Sequence, residues 1–243
     1  MITFSKLGSF GRLGNQLFQI SAAVGLALRH NTEAKFYPWK YSILFKNQIN
    51  QTLKSEDIKN RYKEAHFHYS KIPYYDGLDI SGYFQSYKYF EDCASEIRKL
   101  FIFNIDAAAD VKDFCSIHVR RTDYLAASKY HTVLGLDYYN YAMKYMKNRG
   151  IDKFLVFSDD MSWCKENIIG HNIFYSDNTD EIADLALMSK CGHNIIANSS
   201  FSWWGAWLNN NENKTVIAPE RWFGPANNNC NTNDLYCTDW VRL

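Results

Sequence analysis

The feature that most constrains the fold is a regular alternation of strand-like and helix-like segments in the second half of the 243-residue chain. Short apolar runs predict strands, and amphipathic runs between them predict helices. This alternation is typical of a parallel sheet that helices cover on both faces. The predicted strands are 114–119, 154–157, 172–175, 193–197 and 215–218, and the predicted helices are 137–148, 161–168, 179–190 (capped by Asn178 or Thr179) and 200–208.

The first half of the chain begins with a strand–turn–helix unit. Residues 2–7 predict a strand, Gly8–Gly14 a glycine-rich turn, and residues 15–30 a helix that Asn15 caps at its N-terminus. Such a turn aims backbone N–H groups at a bound ligand. We also predict a strand at 34–37 and a helix at 91–101, whereas residues 40–80 have no clear periodicity.

The polar stretch 104–112 is the best candidate for a linker, so we predict an α/β protein with two domains, 1–110 and 111–243. With 27 basic and 26 acidic residues, the overall charge does not favour nucleic acid as a partner. No secretory signal or membrane-spanning run is visible, and we expect a cytoplasmic protein. The six cysteines lack zinc-site spacing and are expected to be reduced, with Cys230 and Cys237 the pair best placed for a disulfide.

Ligands of parallel α/β sheets bind beyond the carboxyl ends of the strands, and unusual residues follow the first strand of the second domain. His118 ends this strand, and Arg120, Arg121 and Asp123 come directly after it. Arginine binds phosphate or carboxylate through two hydrogen bonds and stays charged when partly desolvated. A surface basic pair with an aspartate counter-ion is the alternative, but the position after a core strand favours an anion site.

Two later strand ends also carry polar residues. Asp159 and Asp160 follow the next strand, where one carboxylate could bind a base or ribose and the other could cap the following helix. Residues 198–207 (NSSFSWWGAW) gather hydroxyls at a helix N-terminus, which predicts an uncharged anion cradle. An ordinary capped helix would leave several of these hydroxyls without a role. The residues alone therefore predict a phosphate-bearing ligand on the second domain.

Five motifs together resemble the α-1,2-fucosyltransferases of glycosyltransferase family 11. They are Gly11–Gln19 (GRLGNQLFQ), Gly82–Ser86 (GYFQS), His118–Asp123 (HVRRTD), Phe157–Asp160 (FSDD) and His193–Trp207 (HNIIANSSFSWWGAW). The third motif also fits a wider group of fucosyltransferases, whereas the segment NSSFSWWGAW (198–207) within the last motif is far more specific to family 11. The resemblance implies a GT-B fold, with two Rossmann-like lobes, parallel sheets and, at this chain length, a reduced N-terminal lobe.

The resemblance further implies an inverting enzyme that transfers L-fucose from GDP-β-L-fucose to the 2-hydroxyl of a galactoside, without a metal or other cofactor. The implied partners are this nucleotide-sugar donor and a galactose-containing glycan acceptor. The first lobe would lie on the acceptor side, and the second would bind the donor.

The resemblance also assigns roles to individual residues. Arg120 would grip the donor diphosphate, with Arg121 in the same donor-binding set, and Arg12 and Asn15 would face the phosphates from the first lobe. His118 and Asp159 resemble guanosine-contacting positions. The phosphates and fucose would be lined by Ser199, Ser200, Phe201 and Ser202.

The general base and the acceptor stay open. Asp123 is the nearest motif carboxylate, but it could instead orient Arg121 through an ion pair, and a donor phosphate oxygen could take the proton. The alternative functions are a non-catalytic module that binds GDP-sugars or glycans, and a fucosyltransferase that uses another sugar or a protein as acceptor. The short first lobe puts acceptor specificity in doubt more than donor binding.

Overall fold

The computed structural model describes residues 1–105, 110–178 and 180–243. The chain forms two compact units: unit 1 comprises Met1–Asn104 with Cys230–Cys237, and unit 2 comprises Ile105–Asn229 with Thr238–Leu243. Each unit is built on its own parallel sheet. Part of the predicted linker 104–112 and the predicted cap Thr179 lie outside the described residues.

Unit 1 contains a four-stranded sheet and two helices. The strands are β1 (Ile2–Phe4), β2 (Ala34–Phe36), β3 (Asn60–Lys63) and β4 (Leu78–Ser81), and the helices are α1 (Leu13–Arg29) and α2 (Ala94–Leu100). The strand order is β2-β1-β4-β3, and all pairs are parallel. Short 3-10 turns occupy Ser42–Leu44, Ser55–Asp57, Tyr87–Tyr89 and Glu91–Cys93.

The predicted capping role of Asn15 is wrong. Helix α1 begins at Leu13, which is fully buried, and its N-cap is Arg12, whose side chain makes no capping bond. Because the apolar face of α1 is buried against the sheet, the helix begins about half a turn before Asn15. Asn15 therefore lies inside the first turn and directs its side chain to another part of unit 1.

A buried carboxylate joins the central strands of unit 1. Asp79 on β4 is 4% exposed and accepts hydrogen bonds from the Thr3 hydroxyl (3.0 Å) and from the Ser5 backbone N–H and hydroxyl (both 2.7 Å). A buried charge needs such a full set of donors. This acid also interrupts the apolar pattern of β4, which explains why periodicity did not reveal this strand.

Unit 2 contains a six-stranded parallel sheet. Its strands are β5 (Phe114–Val119), β6 (Lys153–Ser158), β7 (Ile173–Tyr175), β8 (His193–Ile195), β9 (Val216–Ala218) and β10 (Val241–Arg242). Its helices are α3 (Thr122–Ala126), α4 (Leu136–Lys147), α5 (Met161–Asn167), α6 (Glu181–Lys190) and α7 (Ser200–Leu208), and a 3-10 turn spans Pro225–Asn227. The strand order is β10-β9-β8-β5-β6-β7.

The predicted alternation in the second half is confirmed, with three differences. Helix α3 and strand β10 were not predicted, because one is five residues long and the other only two. The cap of α6 is Asp180, whose side chain accepts the Ile182 N–H at 3.0 Å. The expected α/β class with two parallel sheets is confirmed.

A buried amide network fixes β8 beside β5. The Asn194 side chain donates to the Ser116 hydroxyl (2.7 Å) and the Met188 carbonyl (2.9 Å), and it accepts from Asn209 (2.9 Å). Asn209 also donates to the Cys191 carbonyl at 2.7 Å. Fully satisfied networks of this kind select one packing arrangement.

No disulfide joins the six cysteines, all of which lie in the described part of the chain. Among the described residues, no helix has the length and apolar character needed to cross a membrane.

Candidate active site

The strand order of unit 2 creates a topological switch point between β5 and β8. From β5 the chain builds outward to β6 and β7, and it then returns to the other side of β5 to add β8, β9 and β10. In open α/β sheets, a ligand crevice forms where the connections diverge in this way, outside the carboxyl ends of the two strands. The motif residues 118–123 span the end of β5 and the residues after it, and the motif residues 198–202 follow β8, so the topology brings both to one edge of the sheet.

Arg120 is held by two carboxylates at the end of β5. Its Nη2 lies 2.8 Å from Asp123 Oδ2, and its Nη1 lies 3.3 Å from Asp159 Oδ2. The guanidinium also lies over the Tyr124 ring, 5.6 Å from its centroid, and the side chain is 16% exposed. These contacts restrict the rotamers of a long side chain and hold a cation at the switch point before any ligand binds.

Asp159 fixes the loop that carries Arg120. Besides its ion pair with Arg120, it accepts the Arg121 backbone N–H at 2.9 Å and the Thr122 hydroxyl at 2.5 Å. A carboxylate has two oxygens that can each accept more than one bond, so it can bind several donors of one loop. In this structure Asp159 therefore joins the ends of β5 and β6.

Arg121 has its own partners. Its Nε lies 3.2 Å from Asp160 Oδ2, and its guanidinium stacks on Trp163 at 4.0 Å from the ring centroid. The expectation that Asp123 could pair with Arg121 is wrong, because Asp123 pairs with Arg120 and Asp160 with Arg121. Asp160 also accepts the Trp163 N–H at 3.2 Å, which confirms that one of the two acids caps the following helix.

His118 is a buried, neutral imidazole. It is 5% exposed, and its ring lies 5.6 Å from that of Phe201. Burial, followed by the charge of Arg120, lowers its pKa from 6.5 to about 3, with Asp159 opposing the shift. Among the described residues, Nδ1 of His118 has no hydrogen-bond partner.

The N-terminus of α7 follows β8 at the switch point. Ser199 is the N-cap, and its buried hydroxyl makes no capping bond. The first-turn N–H groups of a helix have no acceptor within the helix, so they favour an anion here. Ser202 was expected to line the phosphates, but its hydroxyl is buried and donates to the carbonyls of Ala197 (3.4 Å) and Ser199 (3.3 Å). Ser200 and Phe201 are partly exposed in the first turn.

Two site residues were missed by sequence reasoning. The Tyr124 hydroxyl donates to the Asn198 carbonyl at 3.0 Å and so connects α3, which follows β5, with the loop after β8. The Asn198 side chain donates to the carbonyls of Thr132 (2.9 Å) and Trp222 (2.8 Å). Their positions were the available sequence signal, because Asn198 begins the family-specific segment NSSFSWWGAW and Tyr124 directly follows the HVRRTD motif.

The two motifs of unit 1 also meet at the carboxyl ends of adjacent strands. Strand β1 leads into the Gly8–Gly14 turn, and β4 leads into Gly82–Ser86. The Gln85 side chain donates to Asn15 Oδ1 at 2.6 Å, and the Phe10 and Tyr83 rings lie 6.0 Å apart. Arg12 is exposed at the start of α1. Thus Asn15 and the two motifs form one local cluster within unit 1.

No cluster of three potential metal-ligating side chains (His, Cys, Asp or Glu) occurs in the ranges that the structure describes. The three acids around Arg120 and Arg121 are instead bound to guanidinium, hydroxyl and N–H donors.

The lowered pKa of His118 predicts acid destabilisation of unit 2. The unfolded chain binds a proton at this residue below about pH 6.5, whereas the folded chain does not until far lower pH, so stability is lost as the pH falls below 6.5. Between pH 6.5 and 4.5 the wild type should lose about 2 kcal/mol more unfolding free energy than His118→Gln. Tryptophan fluorescence during urea unfolding measures this, since six of the seven tryptophans belong to unit 2.

The matched control is His171→Gln, which changes an exposed histidine of the same unit. It should retain the wild-type pH dependence. If His118→Gln retained it as well, His118 would not be the buried neutral group described above.

Comparison with known proteins agrees with this architecture. Residues 6–243 match the sequence profile described as glycosyl transferase family 11. In fold, the chain resembles the crystal structure of a glycosyl transferase family 9 protein from Veillonella parvula, with a TM-score of 0.54, 9% identity and coverage of 100% of this chain and 85% of that chain. This likeness confirms the expected GT-B-like fold.

Three relatives represent the sequence similarity. An O-antigen biosynthesis glycosyltransferase (WbnK) of Escherichia coli is 35% identical over 76% of this chain and 68% of its own length. An α-1,2-colitosyltransferase of Escherichia coli is 37% identical over 68% and 62%, and a human galactoside α-(1,2)-fucosyltransferase 1 is 27% identical over 82% and 63%. The chain thus spans about two thirds of the length of these relatives. With the family profile matched over nearly its whole length, the chain belongs to glycosyltransferase family 11, the α-1,2-fucosyltransferase family.

Proposed function

We propose that this protein is an inverting transferase that moves L-fucose from GDP-β-L-fucose to the 2-hydroxyl of a galactoside and needs no metal ion. The observation that carries the proposal is the restrained guanidinium of Arg120 at the switch point, where the N-terminus of α7 also begins. Together they supply a cation and a helix dipole for one diphosphate. Family membership supports the fucosyl chemistry.

The proposed role of Arg120 is to stabilise the leaving group. Negative charge builds up on the GDP diphosphate as the glycosidic bond breaks, and a fixed guanidinium binds that charge more strongly than it binds the intact donor. Arginine has five N–H donors, so it can contact a phosphate while one carboxylate still holds it in position. The donors of the α7 first turn would act on the same phosphates, together with Ser199, Ser200 and Phe201.

The residues around Arg120 have different roles in the proposed site. His118 is neutral and presents a buried ring nitrogen with no protein partner among the described residues, which suits contact with the guanosine part of the donor. Asp159, Arg121 and Ser202 are engaged with the loops around the site. We propose that these three act on the donor by positioning its binding loops. For Arg12 and Asn15 we propose the catalytic part that the family resemblance implies.

A second candidate concerns the donor sugar. The similarity to an α-1,2-colitosyltransferase favours testing colitose, the 3-deoxy counterpart of L-fucose. With a GDP-linked colitose donor, Arg120 and α7 would act on the diphosphate in the same way as with GDP-fucose. The difference would lie in contacts to the sugar 3-hydroxyl.

The direct test of the function is an assay with GDP-fucose or GDP-colitose as donor and lactose as acceptor, with and without EDTA. We expect fucosylated lactose with an α-1,2 linkage and unchanged activity in EDTA. Product only from GDP-colitose would establish the second candidate. GDP release without glycoside would indicate a different acceptor, binding without turnover would indicate a non-catalytic module, and loss of activity in EDTA would contradict the metal-free mechanism.

Replacing Arg120 should remove most of the leaving-group stabilisation. For Arg120→Ala we expect kcat to fall about 100-fold or more, equivalent to about 2.7 kcal/mol. The measurement is steady-state transfer, with GDP affinity determined by calorimetry. The control is Arg149→Ala, an exposed arginine of unit 2 that stacks on Tyr145. The assigned role would be wrong if Arg120→Ala kept more than about a tenth of the wild-type kcat.

Asp123 has two candidate roles that one variant separates. Its ion pair with Arg120 supports an orienting role, in which case Asp123→Asn should weaken GDP binding and lower kcat together. A general base would instead leave GDP affinity unchanged while kcat falls, since it touches only the acceptor hydroxyl. We expect the first result. Calorimetric titration with GDP and a steady-state assay on the same preparation provide both values.

A further inference from the structure

A half-buried carboxylate in unit 1 grips the turn that contains the GYFQS motif. Glu64 follows β3, and its Oε2 accepts the Tyr83 backbone N–H at 2.7 Å while its Oε1 accepts the Phe84 N–H at 3.0 Å. Both oxygens are therefore used on successive amides of one turn. Hydrogen bonds to an ionised acceptor are among the stronger ones in proteins.

The turn that Glu64 holds is strained and tightly fitted. Phe84 has a φ of +50°, a left-handed conformation that residues other than glycine rarely adopt. A Cβ on Gly82 would lie 2.4 Å from the Glu64 Cβ, so only glycine fits there. Phe84 is fully buried, with its ring 6.1 Å from that of Phe4. Such conformations persist where surrounding contacts over-determine them and are often part of functional sites.

The residue after this strained position connects to the other motif of unit 1. The Gln85 amide donates to Asn15 Oδ1 at 2.6 Å, and Asn15 is one of the motif residues to which the proposed function gives a part in catalysis. The direction of the Gln85 side chain depends on the backbone of Phe84. A continuous set of contacts thus runs from Glu64 through the turn to Asn15.

We infer that Glu64 is a positioning residue, which holds the Gly82–Ser86 turn so that Gln85 fixes the side chain of Asn15. The inference rests on the proposed function only for the catalytic part assigned to Asn15. Glu64 is assigned no contact with the reacting groups, because both of its oxygens are occupied by backbone donors.

The protonation state of Glu64 gives a readout that is independent of catalysis. Burial raises its pKa to about 7, against the lowering effect of the two N–H bonds. The titratable groups that interact with it electrostatically are the phenols of Tyr62 and Tyr89, whose own pKa values are raised by burial and which stay neutral near pH 7. Protonation of Glu64 weakens it as an acceptor, so the amides of the turn should respond to pH.

The first arm of the test uses the ligand-free chain. In ¹H–¹⁵N spectra recorded from pH 5.5 to 8.5, the Tyr83 and Phe84 amides should shift with a midpoint near pH 7 in the wild type. The shift should vanish in Glu64→Gln and persist in the control Glu56→Gln, whose carboxylate is 77% exposed. Amides that show the same titration in Glu64→Gln would overturn the inference.

The second arm uses transfer kinetics and a double-mutant cycle. Glu64→Gln should lower kcat at least ~10-fold, since small displacements of catalytic groups have such effects. Gln85→Ala alone should lower kcat about as much as Glu64→Gln does. When Gln85→Ala is added to Glu64→Gln, the further loss of kcat should be less than ~3-fold, because the two residues act in series. The inference would be overturned if the loss of kcat in the double variant equalled the product of the losses in the two single variants. If the wild type transferred no sugar, only the proposed function would be contradicted. The amide titration would still test whether Glu64 holds the turn.

Discussion

The ion pair between Arg120 and Asp159 is the interaction on which the rest of the candidate site depends. It fixes a cation at the place where the strand connections of unit 2 diverge, and the same carboxylate ties down the backbone of the loop that carries the arginine. An unrestrained arginine would lose side-chain entropy when a ligand binds, and this cost would weaken the complex. Because folding has already restrained Arg120, less of that cost falls on ligand binding.

In both units, carboxylates that accept backbone N–H groups fix the segments after the strands. Parallel sheets place their functional loops at the carboxyl ends of the strands, where backbone N–H groups leave the ladder and need other acceptors. Asp79 accepts the Ser5 N–H after β1, Asp159 accepts the Arg121 N–H after β5, and Glu64 accepts two N–H groups after β4. Carboxylates suit this task because they accept several bonds at once. Each acid therefore holds the backbone after a strand in a defined conformation.

Sequence patterns predicted much of unit 2 and less of unit 1. Strand β5 and helix α7 were predicted with their observed bounds, because β5 is a mostly apolar run that ends at a charged segment and α7 follows clear capping residues. In unit 1 the buried Asp79 and the exposed strand β3 break the apolar pattern, so periodicity missed both β3 and β4. The motifs identified which strand ends matter. They could not give the pairing of Arg120 with Asp123, which depends on the direction of side chains after the strand ends.

In the proposed mechanism, Arg120 and the first turn of α7 bind the diphosphate of a GDP-sugar. A crystal structure of the protein with GDP tests it most directly. We expect a β-phosphate oxygen within about 3 Å of the Arg120 guanidinium and a second phosphate oxygen at a similar distance from a first-turn N–H of α7. A diphosphate bound elsewhere, with Arg120 still paired to both Asp123 and Asp159, would contradict it.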